Sequence, residues 1–269
     1  STTGGSVTVS GGADAQNNGD KATVYKTTED VTVTGAGSSI KNTGIGSAIS
    51  DVTGNVNVES DGDVESAGSS STITNVTTDV NVTGGTVKNT GTGSAVTGVS
   101  GTVAVSGGTV SSQSENATIA NVANVNLTGG TIENTNTTTG SVISDVTGTV
   151  TVNGGNLKSS NKSATVKNAA NLNLESGSIV NTAGGSAISG GGDYIISKDT
   201  VVSSDSTAAT VDDINKITVN GGTVINEGTG SAIAKVADAV NVNSGLVTSK
   251  SSDATIYNTK DVTVTGGTV

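Results

Sequence analysis

The chain has 269 residues, a formal net charge of −11 and 39 glycines, and it contains no Pro, Cys, Met, Trp, Phe or His. All 12 basic residues are lysines, and Tyr25, Tyr194 and Tyr257 are the only aromatic side chains. Such a composition excludes disulfides, Cys/His zinc sites, histidine catalysis and arginine clamps, and it lacks the clustered cations and stacking platforms that nucleic acid requires.

A short alternating unit then recurs along the whole length. It reads VTVSGG from Val7, VTVTGAG from Val31, VNVESDG from Val56, VNVTGGTV from Val80 and VAVSGGTV from Val103. Further copies begin at Val125, Val150, Leu172, Tyr194, Ile217, Val240 and Val262, spaced by 22 to 25 residues with a mean near 23. Val, Ile and Thr in period-two alternation predict strands, and the Gly-Gly, Asn-Gly and Ser-Gly pairs after them predict tight turns.

Each period carries two more apolar stations. The second alternates between a Gly-Ser-Ala-Ile form, as at Gly46 to Ile49 and Gly93 to Val96, and an Ala-Thr-Val form, as at Ala22 to Val24 and Ala164 to Val166. The full repeat is therefore a pair of about 46 residues. The third station is a single apolar residue such as Val52, Val76, Val99, Val122 or Val146. Helical periodicity is missing throughout.

Three short strands per ~23 residues predict an all-β protein: a single β-solenoid, or parallel β-helix, of about 12 coils over residues 1–269, with no linker and no second domain. Stacking at the ~4.8 Å strand spacing makes this a rod ~55–60 Å long. Inward Val7, Val31, Val56, Val80 and Val103 are expected to form one aliphatic column. The absence of Pro fits, because every ladder position must donate its N–H.

Asn42, Asn89, Asn134, Asn181 and Asn226 recur at intervals of 47, 45, 47 and 45, each just after an apolar strand end. A second set, Asn75, Asn121, Asn168 and Asn258, follows the other station form. Side-chain amides at bends satisfy backbone groups that the bend leaves unpaired, so both sets are expected to be structural.

Few residues offer chemistry. Asp61 with Asp63, Asp212 with Asp213 and Glu29 with Asp30 pair carboxylates in the manner of acid–base catalysts, but no basic or aromatic residue accompanies them, and no catalysis is expected. Asp30, Asp79 and Asp261 precede the recurring strand in separate coils and are the candidate calcium ligands, against the alternative of a surface charge ladder. No other metal or cofactor is called for. Thr-x-Thr on the outer strand face, at Thr32/Thr34 and Thr263/Thr265, has the form of an ice-binding array, though other coils interrupt it with Asn57/Glu59 and Asn173/Glu175.

The tandem Val-x-Val-x-Gly-Gly-Thr-Val coils with these stations resemble the repeat regions of secreted bacterial β-solenoid surface proteins: adhesins of the filamentous-haemagglutinin and autotransporter type, and related surface-fibre repeat proteins. The resemblance covers the whole chain and is one of style and period. It implies an extracellular or cell-surface rod or fibre without enzymatic activity. Both ends carry the strand motif without a polar cap, which points to a segment of a longer chain or a filament subunit that self-associates end to end. An adhesin or an ice- or glycan-binding module using the exposed Thr/Asn ladders is the alternative, with a host surface or glycan as ligand. Nucleic acid is not an expected partner at this net charge. Nor is membrane insertion, since no apolar run approaches the ~18–20 residues of a spanning helix.

Overall fold

The computed structural model describes residues 4–269 as an all-β solenoid, with no helix among them. Every strand pairing is parallel and joins one turn to the next. The recurring first strand, Val7–Ser10 in the first turn and Val31–Thr34 in the second, stacks in register along the rod. Val7 pairs Val31, Val31 pairs Val56, and the column continues through Val80 and Val103 to Val240 and Val262. Twelve copies of this strand bound eleven turns, so the rod has about eleven turns rather than twelve. Its length is roughly 50 Å at the ~4.8 Å rise of stacked strands.

A second wall is built by the residues after the glycine pair. It starts with Asp14–Asn17, Ser39–Asn42, Asp63–Ser66 and Thr86–Asn89. Its inward column runs Ala15, Ile40, Val64, Val87, Val110 and onward to Val247. A third wall starts with Val24–Thr27, Ile49–Val52 and Ile73–Val76. Nearly all inward residues of the inner turns are fully buried, and they form one continuous apolar core. No turn could bury this stripe alone; each covers its neighbours, as in other repeat folds.

The strand count per turn matches expectation, but the assignment of stations differs. The second and third apolar stations lie on one strand, and the third strand is the segment after the glycine pair. What separates Ile49 from Val52 is a single left-handed residue, Asp51, with φ of 57°. Every turn has such a residue: Asp51, Asp145 and Asp213; Asn75, Asn121, Asn168 and Asn258; Gly98 and Gly190; Lys26 and Lys235, with φ of 50–72°. Asn, Asp and Gly are the residues that adopt this conformation most readily, which accounts for nine of these positions. The bend shifts the inward positions from every second residue to i and i+3, so the strand's alternation is broken where it crosses the bend.

The geometry of the five-Asn ladder explains the doubled repeat. Asn42, Asn89, Asn134, Asn181 and Asn226 are at most 1% exposed. Each Oδ1 accepts the N–H two residues on, as from Gly44 (2.9 Å), Gly91 (2.9 Å) and Gly228 (2.9 Å). Each Nδ2 reaches back to the preceding turn: Asn42 to Lys21 O (2.7 Å), Asn89 to Ser70 O (2.9 Å), Asn181 to Ser163 O (2.7 Å) and Asn226 to Ala208 O (2.7 Å). In the alternate turns the same position is Ser66, Ser112, Ser159 or Ser204. Its Oγ pairs with a threonine hydroxyl six residues on, Thr72, Thr118, Thr165 or Thr210, at 2.7–2.9 Å. That threonine donates forward to a carbonyl of the following turn, as Thr210 does to Ile225 O (2.9 Å). Asparagine turns thus reach back and threonine turns reach forward, and the pair interlocks.

This interlock also accounts for the glycine of the Gly-Ser-Ala-Ile form. A Cβ on Gly46, Gly93, Gly140, Gly185 or Gly230 would lie 2.5–2.9 Å from the Nδ2 of its own turn's ladder asparagine. At the aligned position the serine turns carry Ser70, Asn116, Ser163 and Ala208 instead.

Candidate functional site

The left-handed bend has a consequence on the surface. It leaves a groove over the end of the third wall, running along the rod. One stretch is lined from Lys26 to Ser100 and a second from Gly98 to Asn168. Because they share Gly98 and Ser100, the groove is continuous over seven turns, roughly 30 Å at the strand spacing. Each stretch encloses about 420–560 Å³.

Its cross-section repeats in every turn. The floor is the edge of the inward valines, Val52, Val76, Val99, Val122 and Val146, each only 1–2% exposed. One rim is the column of left-handed residues. The other is the residue two positions later: Thr53, Thr77, Ser100, Ala123 and Thr147. Asn75, Asn121, Asp145 and Asn168 are exposed on the first rim. The backbone bend that presents them is held by ladder pairs on both sides, such as Ser50 with Thr74 and Val52 with Val76.

The second asparagine set therefore has a different role from the expected one. The side chains of Asn75 and Asn168 do not cap bent backbone; they donate along the rim, to Asp51 Oδ1 and Asp145 Oδ1, each at 3.0 Å. The groove presents amide donors, amide and carboxylate acceptors, and hydroxyls that do both. Between Asp51 and Asn168 no cation lines it. At the Lys26 end, Thr27 occupies a position that is valine in the following turns, and its buried Oγ1 has no hydrogen-bond partner among the described residues.

The candidate calcium ligands are not brought together. Asp30 and Asp79 stand in one column with Asn55 between them, and Asp261 lies at the far end of the rod. Asp30 Oδ1 accepts the N–H of Asn55 (2.7 Å), Asn55 Oδ1 that of Asp79 (3.2 Å), and Asp79 Oδ1 that of Thr102 (2.7 Å). Asn124 Oδ1 does the same for Thr149 (3.0 Å). At these four junctions the column ties one turn's arc to the next, and Asn serves as well as Asp. Among the described residues no three His, Cys, Asp or Glu side chains cluster at metal-binding distance. Of the paired carboxylates, Asp212 forms an ion pair with Lys235 (3.1 Å) in the next turn while Asp213 sits at the bend.

Tyr194 is the one aromatic side chain in the core, 1% exposed, at a position that is valine or leucine in the turns before it. Its hydroxyl donates toward Ala169 O (3.0 Å) and Gly190 O (2.5 Å). Room for the ring comes from Ala169 and Gly191, which replace the valine of the third wall, and a Cβ on Gly191 would collide with the tyrosine oxygen. Burial raises the Tyr194 pKa well above its ordinary value of 10.

The outer face of the first wall carries the Thr/Asn array. Asn81 donates to Asn57 (3.0 Å) and Asn243 to Asn220 (2.8 Å), so part of its hydrogen-bonding capacity is used within the ladder. Comparison with known proteins supplies no identity: no protein family, no curated protein and no solved structure matches the chain.

Proposed function

We propose that the chain is a rigid structural element of an extracellular or cell-surface assembly, a rod that spaces or builds rather than one that catalyses. The observation that supports this most is the unbroken first-wall ladder, which carries one register from Val7 to Val262. Turns coupled this way resist bending, because tilting one turn strains all three walls and both halves of the Asn/Thr interlock. The extracellular setting rests on the likeness of the repeats to secreted surface solenoids. We propose further that such rods join end to end, coil stacking on coil, since a strand edge is a template for pairing.

Small-angle scattering and electron microscopy test the reading. Stiff particles roughly 50 Å long, lengthening in steps of that size as concentration rises, are the expected result. A particle of that length whose size is independent of concentration would remove the end-to-end joining. A flexible or globular particle would remove the rod itself.

A further inference from the structure

The groove repeats at the turn spacing, and that period selects a ligand. An extended peptide advances ~3.3–3.4 Å per residue and presents the same face every second residue, out of step with rims that recur every ~4.8 Å. A linear sugar chain joined through equatorial 1,4-linkages advances by close to one turn spacing per ring. It offers hydroxyls along both edges and an apolar ring face beneath. Its hydroxyls are the complements of the two polar rims. Charge narrows the choice further. Asp51 and Asp145 stand on the rim and no lysine lines the groove between Asp51 and Asn168, so anionic chains are repelled and neutral ones are not.

We propose that the groove from Asp51 to Asn168 binds a neutral β-1,4-linked glycan lying along the rod, about one ring per turn. Asn75 and Asn121, two turns apart, donate and accept at alternate rings. Asp145 accepts from hydroxyls, and Thr77, Ser100 and Thr147 close the opposite edge. The site is independent of whether rods join at their ends, since every lining residue lies in the inner turns.

The test is titration calorimetry of the full chain with cellohexaose, chitohexaose, their trimers, and hexagalacturonate. One of the two neutral hexamers is expected to bind at least tenfold more tightly than its trimer, and which one does so separates glucose from N-acetylglucosamine as the ring. Hexagalacturonate is expected not to bind. The variant pair Asn75→Gly and Asn121→Gly removes two rim amides while keeping a residue that suits the bend, as Gly98 and Gly190 already do. It is expected to lower hexamer affinity at least tenfold with the melting transition retained. The proposal is overturned by absence of binding at millimolar neutral hexamer, by equal affinity for trimer and hexamer, by tight binding of hexagalacturonate, or by a folded Asn75→Gly/Asn121→Gly variant that binds as well as the parent.

Discussion

The asparagine turns and the serine–threonine turns share a backbone path, a core and a register, yet they close the same corner with different chemistry. In an asparagine turn one buried amide does the work: Asn226 accepts the Gly228 N–H and donates to Ala208 O and Ser231 O. In the preceding turn the load is divided between Ser204 and Thr210, whose hydroxyls meet at 2.7 Å before Thr210 passes on to Ile225 O. The difference teaches why the sequence repeats at 46 residues when the structure repeats at 23. A corner of one kind reaches toward a neighbour of the other kind, so the two alternate.

The sharpest way to break this comparison is to change the amide without changing its shape. Asn226→Asp leaves an acceptor facing the Ala208 and Ser231 carbonyls, both donations lost and a charge buried without a partner. We expect a loss of about 3–5 kcal/mol at neutral pH, the cost typical of an uncompensated buried charge. Burial raises the introduced carboxyl's pKa in the folded state, so the loss is expected to shrink as pH falls and the group protonates. Thr210→Val, the isosteric change in the partner turn, is expected to cost only about 1–2 kcal/mol, because Ser204 can turn its hydroxyl to another acceptor. Urea denaturation of both variants at pH 7 and pH 4 checks the order. Equal losses would mean that the two corner types are energetically equivalent.

A second way is to act where the pattern is already irregular. Around Tyr194 the first wall, the bend and the glycine pair all deviate together, with Gly190 to Gly192 on one side and Lys198-Asp199 in place of the usual glycines on the other. Tyr194→Phe keeps the ring and removes the hydroxyl's hydrogen bonding to Ala169 O and Gly190 O, an expected loss of about 1–3 kcal/mol. The wild-type hydroxyl also makes stability pH-dependent. Its folded pKa lies above the unfolded value of 10, so its contribution is complete below pH 10. Above that the unfolded chain releases the proton first, and stability falls by up to about 1.4 kcal/mol per pH unit. The difference between wild type and Tyr194→Phe should therefore narrow between pH 9 and pH 11, and a constant difference would show that the phenol ionises without restraint in the folded rod.

What could be read beforehand divides along physical lines. The aliphatic columns and the buried Asn42 to Asn226 ladder were legible because alternation and a strict period are properties of a chain read one turn at a time. The merger of Ile49 and Val52 into one strand was not, because Asp51 at φ of 57° inserts a residue and makes a strand look like two isolated stations. A signal existed: Asn, Asp or Gly stands between those stations in nine of eleven turns. The groove was the least legible feature. Its rims are single residues from seven successive turns, and what brings them to one line is the bend that alternation conceals. The carboxylates proposed for calcium drew notice through their spacing, but a column position that Asn fills as readily as Asp asks for an acceptor rather than a charge.

The smallest expected effect concerns the two residues that break the bend column's own rule. Lys26 and Lys235 are left-handed although neither can satisfy its backbone locally as Asn and Asp do, and an L-residue there costs roughly 1–2 kcal/mol relative to a relaxed conformation. Lys235 has a partial offset in its ion pair with Asp212, an exposed contact of the kind worth about 0–1 kcal/mol. Lys26 has the ring of Tyr25, 5.1 Å from its ammonium, a contact in the range of about 0.5–1 kcal/mol at an exposed site. Lys26→Gly removes strain and contact together, so the net gain is expected to be about 0.5–1 kcal/mol, a rise of roughly 1–3 °C in melting temperature for a chain of this size. Asn75→Gly, two turns on, is expected to change stability by less, since asparagine already suits the conformation. If the lysine variant instead melts lower than the parent, the contact with Tyr25 outweighs the strain, and the bend column tolerates residues for what their side chains touch rather than for the conformation they adopt.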